Sequence, residues 1–216
     1  FDSPTGYEVL RLISEHFLFK RNKMDKIKKL YKEELKHLKD AIKNGSNLFH
    51  TFTLASLNAN FPELRTIVLR NLTINPLQIY FNADYRSPKV QDLINHKYCS
   101  ALFYDVNRRV QLRFKCKATV HYQNDISKKV WVKTALQSRK CYMGPFAPSQ
   151  KLDEWHPNIP KEYLKTDPKK KHSEEGYINF SHITLEVLES DILHLHHDGH
   201  IRFKVDHKEN LFYVSP

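Results

Sequence analysis

The chemistry-bearing residues of this chain fall in three short phrases. Arg65-Thr66-Ile67-Val68-Leu69-Arg70 sets a guanidinium group at each end of an apolar run. Arg86-Ser87-Pro88-Lys89 combines a hydroxyl, a proline suited to a first helical position and a lysine. A helix N-terminus of that kind, with free N–H groups and a cation, is a ready phosphate site. Arg109-Val110-Gln111-Leu112-Arg113 places a carboxamide on a strand, where it can both donate and accept. Together these groups suit a phosphorylated, flat ligand with a polar edge.

Each phrase also has an ordinary reading. Arg65 and Arg70 could be strand-edge arginines in surface ion pairs, which contribute little. Ser87 could be a plain helix cap, and Gln111 could face solvent. The order of the phrases, and the strand–turn–strand–helix context that holds them, carry more than any one alone.

A second group is His194, His196, His197 and His200 around Asp198-Gly199. His194 and His196 would share one face of a strand. Three readings stand: an accidental histidine-rich hairpin, a substrate or haem contact, and a metal site. Only Asp198 could complete a ligand set, so no metal is assigned. Trp131 and Trp155 are read as packing residues. No catalytic residue is identified.

These side chains need elements to hold them. Ile27, Leu30, Tyr31, Leu35, Leu38, Ala41 and Ile42 recur at helical spacing, and Asn44-Gly45 follows as a stop. Lysines fill the other face, either solvated or meeting an anionic partner. Beyond it the period changes to two. Strands are expected at 50–57, 63–72, 77–82, 98–104 and 110–122, with turns at 58–62 and at Asn75-Pro76. Ser87 begins a short helix with Val90, Leu93 and Ile94 as its apolar side. Asn124 or Asp125 caps another helix through Leu136. Residues 138–175 are irregular and hold five prolines. A strand at 177–188, a hairpin about Asp198-Gly199 and a last strand at 211–214 follow. Seven or eight short, mostly antiparallel strands with few helices indicate a mainly β (α+β) fold, a split or closed β-barrel with peripheral helices.

Composition sets the bounds. With 216 residues, 40% of them hydrophobic, the chain can bury the core of one domain. Residues 1–23 precede the first methionine, Met24, and read as an extension of uncertain status; 24–216 reads as one domain. No apolar run is long enough to span a membrane. Cys99, Cys116 and Cys141 are an odd set with no zinc spacing, which suggests reduced thiols and a cytoplasmic setting. The net charge of +11 invites a nucleic-acid partner. No recognisable module interleaves aromatic and basic residues, so nucleic acid is disfavoured.

The residues carry a family resemblance. Phe52-Thr53-Leu54-Ala55-Ser56-Leu57 resembles the opening strand of the pyridoxamine 5′-phosphate oxidase-like, FMN-binding split-barrel family. The next strand is similar to the family's Arg-x-Val-Leu-Leu-Lys segment, with Arg65 at the arginine and Arg70 replacing the lysine. Phe81 to Lys89 is similar to its strand-to-helix phosphate loop, and Arg109-Val110-Gln111 to its Arg-Gln-Val segment. Residues 183–216 resemble its closing hairpin, with Arg202-Phe203 at an Arg-Phe pair. The resemblance spans roughly 26–216 and is weakest between 140 and 176.

The resemblance implies FMN as cofactor and a homodimer with FMN at the interface. Arg65, Ser87 and Lys89 would hold the phosphate or ribityl chain, with Thr66, Ile67, Val68 and Leu69 alongside the ring and Arg70 near the substrate face. Asn82 and Ala83 would line the phosphate pocket. Gln111 would reach in from the second subunit. Ser149 and Gln150 match a Gln-Ser pair loosely, and Leu195 and Arg202 fall at the last flavin contacts. Arg139, Asp198 and His200 fall at or near the family's contacts to a small-molecule substrate. The chain departs from the pattern at Pro88, where the family has an arginine, at Leu195, where it has a tryptophan, and at Asp198, where the vitamin enzymes have an arginine. The resemblance is thus closer to the related-protein branch: an FMN-dependent oxidoreductase, or else a non-catalytic flavin- or haem-binding module.

Overall fold

The computed structural model describes the backbone of residues 6–216 and the side chains of residues 24–216. Of the expected extension, residues 1–5 lie outside the described residues. From there a single helix, α1 (Gly6–Ala41), runs without a break past Met24. Ile27, Leu35, Leu38 and Ala41 are its buried stripe. Glu34 is buried among them, which the stripe alone does not foretell.

Nine strands follow: β1 (Thr51–Asn58), β2 (Phe61–Val68), β3 (Asn71–Ile74), β4 (Leu77–Asp84), β5 (Tyr98–Asp105), β6 (Val110–Tyr122), β7 (Phe180–His194), β8 (Ile201–Val205) and β9 (Leu211–Tyr213). Helix α2 (Pro88–Asn95) links β4 to β5. Between β6 and β7 lie α3 (Asp125–Lys133), α4 (Leu136–Arg139), α5 (Lys170–Ser173) and short 3-10 turns. The backbone is irregular across 143–160, where prolines interrupt any ladder.

All pairings are antiparallel, in the order β2-β1-β5-β6-β7-β4-β3, with β8 on β7 and β9 on β8. The one strand expected at 63–72 is two. β2 pairs with β1 and β3 pairs with β4, at opposite ends of the strand order, and only Leu69 and Arg70 join them. The Leu69 N–H donates to the His50 carbonyl and the Arg70 N–H to the Tyr80 carbonyl. These two residues therefore carry the chain from one edge of the sheet to the other and close the barrel. Phe52 and Phe81, 6.0 Å apart, meet across that seam.

The barrel is split on its far side. β7 pairs with β6 along its length, apart from an irregularity at Lys115/Cys116. On its other edge, 180–186 pair with β4 and 190–194 pair with β8. The core alternates as a half-buried sheet must: Phe52 and Leu54 on β1, Ala101 and Phe103 on β5, and Leu112 and Phe114 on β6 are buried. Phe103 stacks on Phe52 at 4.9 Å and meets Phe49 and Phe114 edge-on, both at 5.9 Å. Helix α2 packs its Val90 and Leu93 against β1 and β6. Among the described residues, no helix is long and apolar enough to cross a membrane.

Candidate cofactor site

Two cations converge where β2 meets the start of α2. Arg65 lies on the inner side of β2 with Ile67, in the middle of the strand, facing Ser56 and α2. Its guanidinium donates to the Ser56 hydroxyl at 2.5 Å and the Glu63 carbonyl at 2.9 Å, and lies 3.5 Å from the Asp92 carboxylate. Asp92 also accepts from Ser56 and Asn58. Lys89, half-buried in the first turn of α2, is different. Its ammonium makes no hydrogen bond or ion pair among the described residues, and neither does its backbone N–H. Burial and then the charge of Arg65 push the Lys89 amine down from its ordinary value, against the pull of Asp84. A buried cation beside another cation and a helix N-terminus is completed by an anion. The donor set thus fits a phosphate.

The loop before α2 is rigidly built. Asp84 clamps Arg86 through Nε at 3.0 Å and Nη2 at 2.7 Å, and accepts the Arg86 N–H at 2.9 Å. Arg86 also donates to the Gly144 and Pro145 carbonyls at 3.1 and 3.4 Å, tying the irregular loop to this end of the barrel. Ser87 is fully buried and its hydroxyl donates to the Asp84 carbonyl at 2.6 Å. It therefore shapes the turn, and its oxygen keeps only acceptor capacity, which does not suit a phosphate.

Thr66, Val68 and Arg70 alternate away from the buried Ile67 and Leu69, which face the core. Arg70 is exposed with no side-chain partner among the described residues; its charge acts on half-buried Tyr142, whose phenol desolvation pushes up. Asn82 sits on the outer face of β4, and its carbonyl oxygen pairs with His182 Nδ1 at 2.8 Å. Ala83 is buried and its backbone carbonyl accepts from Ser181.

The remaining residues lie elsewhere. Register places Tyr104, Gln111, Leu193 and Arg202 in one row across β5, β6, β7 and β8. Gln111 is half-buried, with no side-chain partner among the described residues. Arg202 grips Asp191 with Nε at 3.0 Å and Nη2 at 2.9 Å, and Arg113 shares that carboxylate. Leu195 donates its N–H to the Arg109 carbonyl. Asn82 and Gln111 pair with β7 at His182 and Leu193, eleven residues apart. At about 3.3 Å per residue that is roughly 35 Å. Asn82 and Gln111 therefore stand at opposite ends of β7.

Ser149, in the left-handed region at φ 68°, and Gln150 are exposed in the 143–160 loop, where Gln150 Oε1 accepts the Ala147 N–H. Asp198 and His200 are exposed at the β7–β8 hairpin tip, and His200 Nδ1 accepts the His196 N–H. Among the described residues, no group of His, Cys, Asp or Glu has metal-binding geometry.

Arg139 needs correcting as a substrate contact. It is 1% exposed. Nε donates to Thr134 O, Nη1 to Ser173 and Glu174, and Nη2 to Trp131 O and Val132 O. Its guanidinium also lies 4.6 Å from the Trp131 ring. Burial and these bonds leave it no face to offer a ligand; it pins α3, α4 and α5 together.

Two further polar clusters escaped the sequence reading. One is the set of outer-face rings around Asn82, itself named from the sequence: His182, Tyr80 and His121. The other is Glu34, which accepts from both terminal nitrogens of Arg108 at 3.1 and 2.8 Å, while Arg108 Nε donates to Asp105 at 2.7 Å. No local signal marks either, because the partners are far apart in sequence.

With this geometry in place, residues 24–122 match the family model described as pyridoxamine 5′-phosphate oxidase, FMN-binding domain. That match covers just under half of the chain. Solved structures place the sheet among the split barrels of that family. A pyridoxamine 5′-phosphate oxidase-related, FMN binding protein from Nostoc punctiforme superposes with a TM-score of 0.69 at 19% identity, covering 86% of this chain and 97% of that one. PhzG from Burkholderia lata, in complex with tetrahydrophenazine-1-carboxylic acid, gives 0.56 at 16% identity, over 77% and 82%. ChuZ from Campylobacter jejuni gives 0.52 at 13% identity, over 87% of this chain and 63% of that one. No curated protein matches the sequence.

Proposed function

We propose that this protein binds FMN and works as an FMN-dependent oxidoreductase on a small substrate lying over the flavin ring. The observation that carries the binding is Lys89: a half-buried ammonium with no hydrogen bond or ion pair among the described residues, next to Arg65 and an unbonded N–H at the start of α2. A phosphate dianion supplies what that corner lacks. Lys89 would take the phosphate, with Arg65 positioned by Ser56 and Asp92 at its side. Arg70 and the outer side chains of β2 would border the ring. The flavin, once bound, supplies two-electron redox chemistry; the protein contributes orientation and charge.

The active unit in this reading is a homodimer. Gln111 and Arg202 lie roughly 35 Å along β7 from Asn82, so in this reading a second copy contributes them, with Leu195, to the flavin that Asn82 and Lys89 hold. The outer face of the sheet favours this: Leu57 is 39%, Leu64 62%, Tyr98 63% and Tyr104 46% exposed, an apolar face on adjacent strands. The free thiols Cys99, Cys116 and Cys141 support a reducing, cytoplasmic setting.

A second reading, a non-catalytic flavin- or haem-binding module, is favoured by one observation. Of the substrate contacts the resemblance implies, Arg139 is sealed in the fold and Asp198 carries the wrong charge. Turnover with candidate amines under air separates the two readings.

The test of the phosphate corner is Lys89→Ala in a flavin fluorescence titration. A charge-assisted contact contributes about 1.5–3 kcal/mol, so FMN affinity should fall by roughly one to two decades. An unchanged affinity removes Lys89 from the site.

A further inference from the structure

His182 is 6% exposed, on the outer face of β7 rather than in the apolar core. Its ring is fixed on both sides. Tyr80 lies 5.6 Å away at an interplanar angle of 10°, and His121 lies 6.1 Å away at 26°. These neighbours are themselves held: the Tyr80 hydroxyl by Gln78 and Thr73, and His121 by the Thr184 hydroxyl at 3.2 Å. From this slot His182 Nδ1 meets the Asn82 carbonyl oxygen at 2.8 Å. The Asn82 NH2 has no partner among the described residues. Asn82 is two residues before Asp84, the carboxylate that organises the turn into α2.

We propose that His182 is a positioning residue for the cofactor site: its Nδ1–H holds the Asn82 carboxamide so that the NH2, not the carbonyl oxygen, faces an anionic ligand at the start of α2. The inference rests on the flavin reading. A neutral imidazole has one donor and one acceptor. With the proton on Nδ1, it donates to Asn82 Oδ1 and leaves two amide donors for the ligand. With the proton on Nε2, Nδ1 accepts from the amide, and Asn82 turns its oxygen outward. That arrangement opposes a phosphate. Stacking removes the freedom to swing the ring aside, so the polarity presented by Asn82 depends on one histidine tautomer. Burial, and then the neighbouring His121, push His182 down to about 4, which keeps the ring neutral near pH 7. Asn82 would then serve FMN as a hydrogen-bond donor without adding a charge to a corner that already holds Arg65 and Lys89.

The experiment measures FMN affinity by fluorescence titration for the wild type, Asn82→Ala, His182→Phe, the double variant and His182→Gln, with thermal midpoints for each. Asn82→Ala and His182→Phe should each weaken FMN about tenfold, and the double variant no more than either alone, because one contact is lost in all three. His182→Gln keeps an amide donor and should stay within about threefold of wild type. Nitrogen-15 spectra of histidine in the FMN-bound wild type should show His182 neutral and protonated on Nδ1. A double variant weakened about a hundredfold, an unchanged His182→Phe or an Nε2-protonated His182 overturns the inference. Should His182→Phe fail to fold, His182→Gln and the wild-type spectrum decide the matter. Absence of FMN binding by the wild type overturns the flavin reading itself, a result distinct from wild-type binding that His182 does not influence.

Discussion

Truncating Arg139 should unfold the protein rather than disable a substrate site. Arg139→Ala removes donors to the Thr134, Trp131 and Val132 carbonyls and to the Ser173 hydroxyl. The Trp131 carbonyl keeps the Thr134 N–H; each of the other three acceptors, left unpaired, costs about 1 kcal/mol or more. The contact with Trp131 contributes a further 1–2 kcal/mol or so in a desolvated setting. The ion pair with Glu174 adds little. That carboxylate is 39% exposed and keeps Lys128 and the Trp131 indole as partners, so no buried charge is stranded. The sum is about 4–5 kcal/mol. At roughly 2–4 °C per kcal/mol for a domain of this size, the thermal midpoint should fall by about 8–20 °C. Urea unfolding should show the same loss. Arg139→Met keeps most of the side-chain volume, so a similar loss there assigns the effect to hydrogen bonds rather than to a cavity. A variant within about 1 kcal/mol of wild type, with KM for a phosphorylated substrate raised instead, would refute the reasoning and return Arg139 to the substrate site.

Two other outcomes follow. The protein should be a poor pyridoxamine 5′-phosphate oxidase, because Asp198 is a carboxylate where those enzymes carry a cation, and like charges can cost several kcal/mol. In an assay under air, kcat/KM should lie below about 10⁴ M⁻¹s⁻¹ and improve in Asp198→Arg; a higher wild-type value contradicts this. Stability should also fall on acidification before the carboxylates titrate. His182 is neutral in the fold down to about 4, whereas in the unfolded chain it takes up a proton near 6.5. Its contribution is whole above pH 6.5 and is lost as pH falls toward 4, by about 3 kcal/mol in all. His182→Phe should flatten urea midpoints across that range, and an unchanged slope would count against a neutral, buried His182.

Much of the architecture was legible because its signals are local. β6 runs Val110–Tyr122 as its alternation indicates, and Pro88 begins α2 where the cap residues place it. Asn124 caps α3 with a reciprocal Ser127 bond, a signal complete within four residues. What was not legible depends on partners distant in the chain. The break at Leu69-Arg70 arises because barrel closure moves the chain from β1 to β4, which no window around 63–72 contains. Arg139 reads as a loop cation until Ser173 and Glu174 close over it. Asn82 and His182 lie a hundred positions apart, and Glu34 and Arg108 seventy-four. The basic stretch of α1 hides a buried carboxylate for the same reason. In the candidate site, the cations at Arg65 and Lys89 could be named from order and type. That Ser87 turns its hydroxyl inward, and that Gln111 stands roughly 35 Å along β7 from Asn82, required the register.

The proposed active unit is FMN held between two copies of this chain. Titration of the purified protein with FMN, followed by flavin absorbance in a sedimentation experiment, tests it directly. The prediction is saturable binding at roughly micromolar FMN or tighter, ending at one FMN per protomer and sedimenting with a dimer. Flavin that stays free of the protein boundary, or that saturates on a monomer, would contradict it.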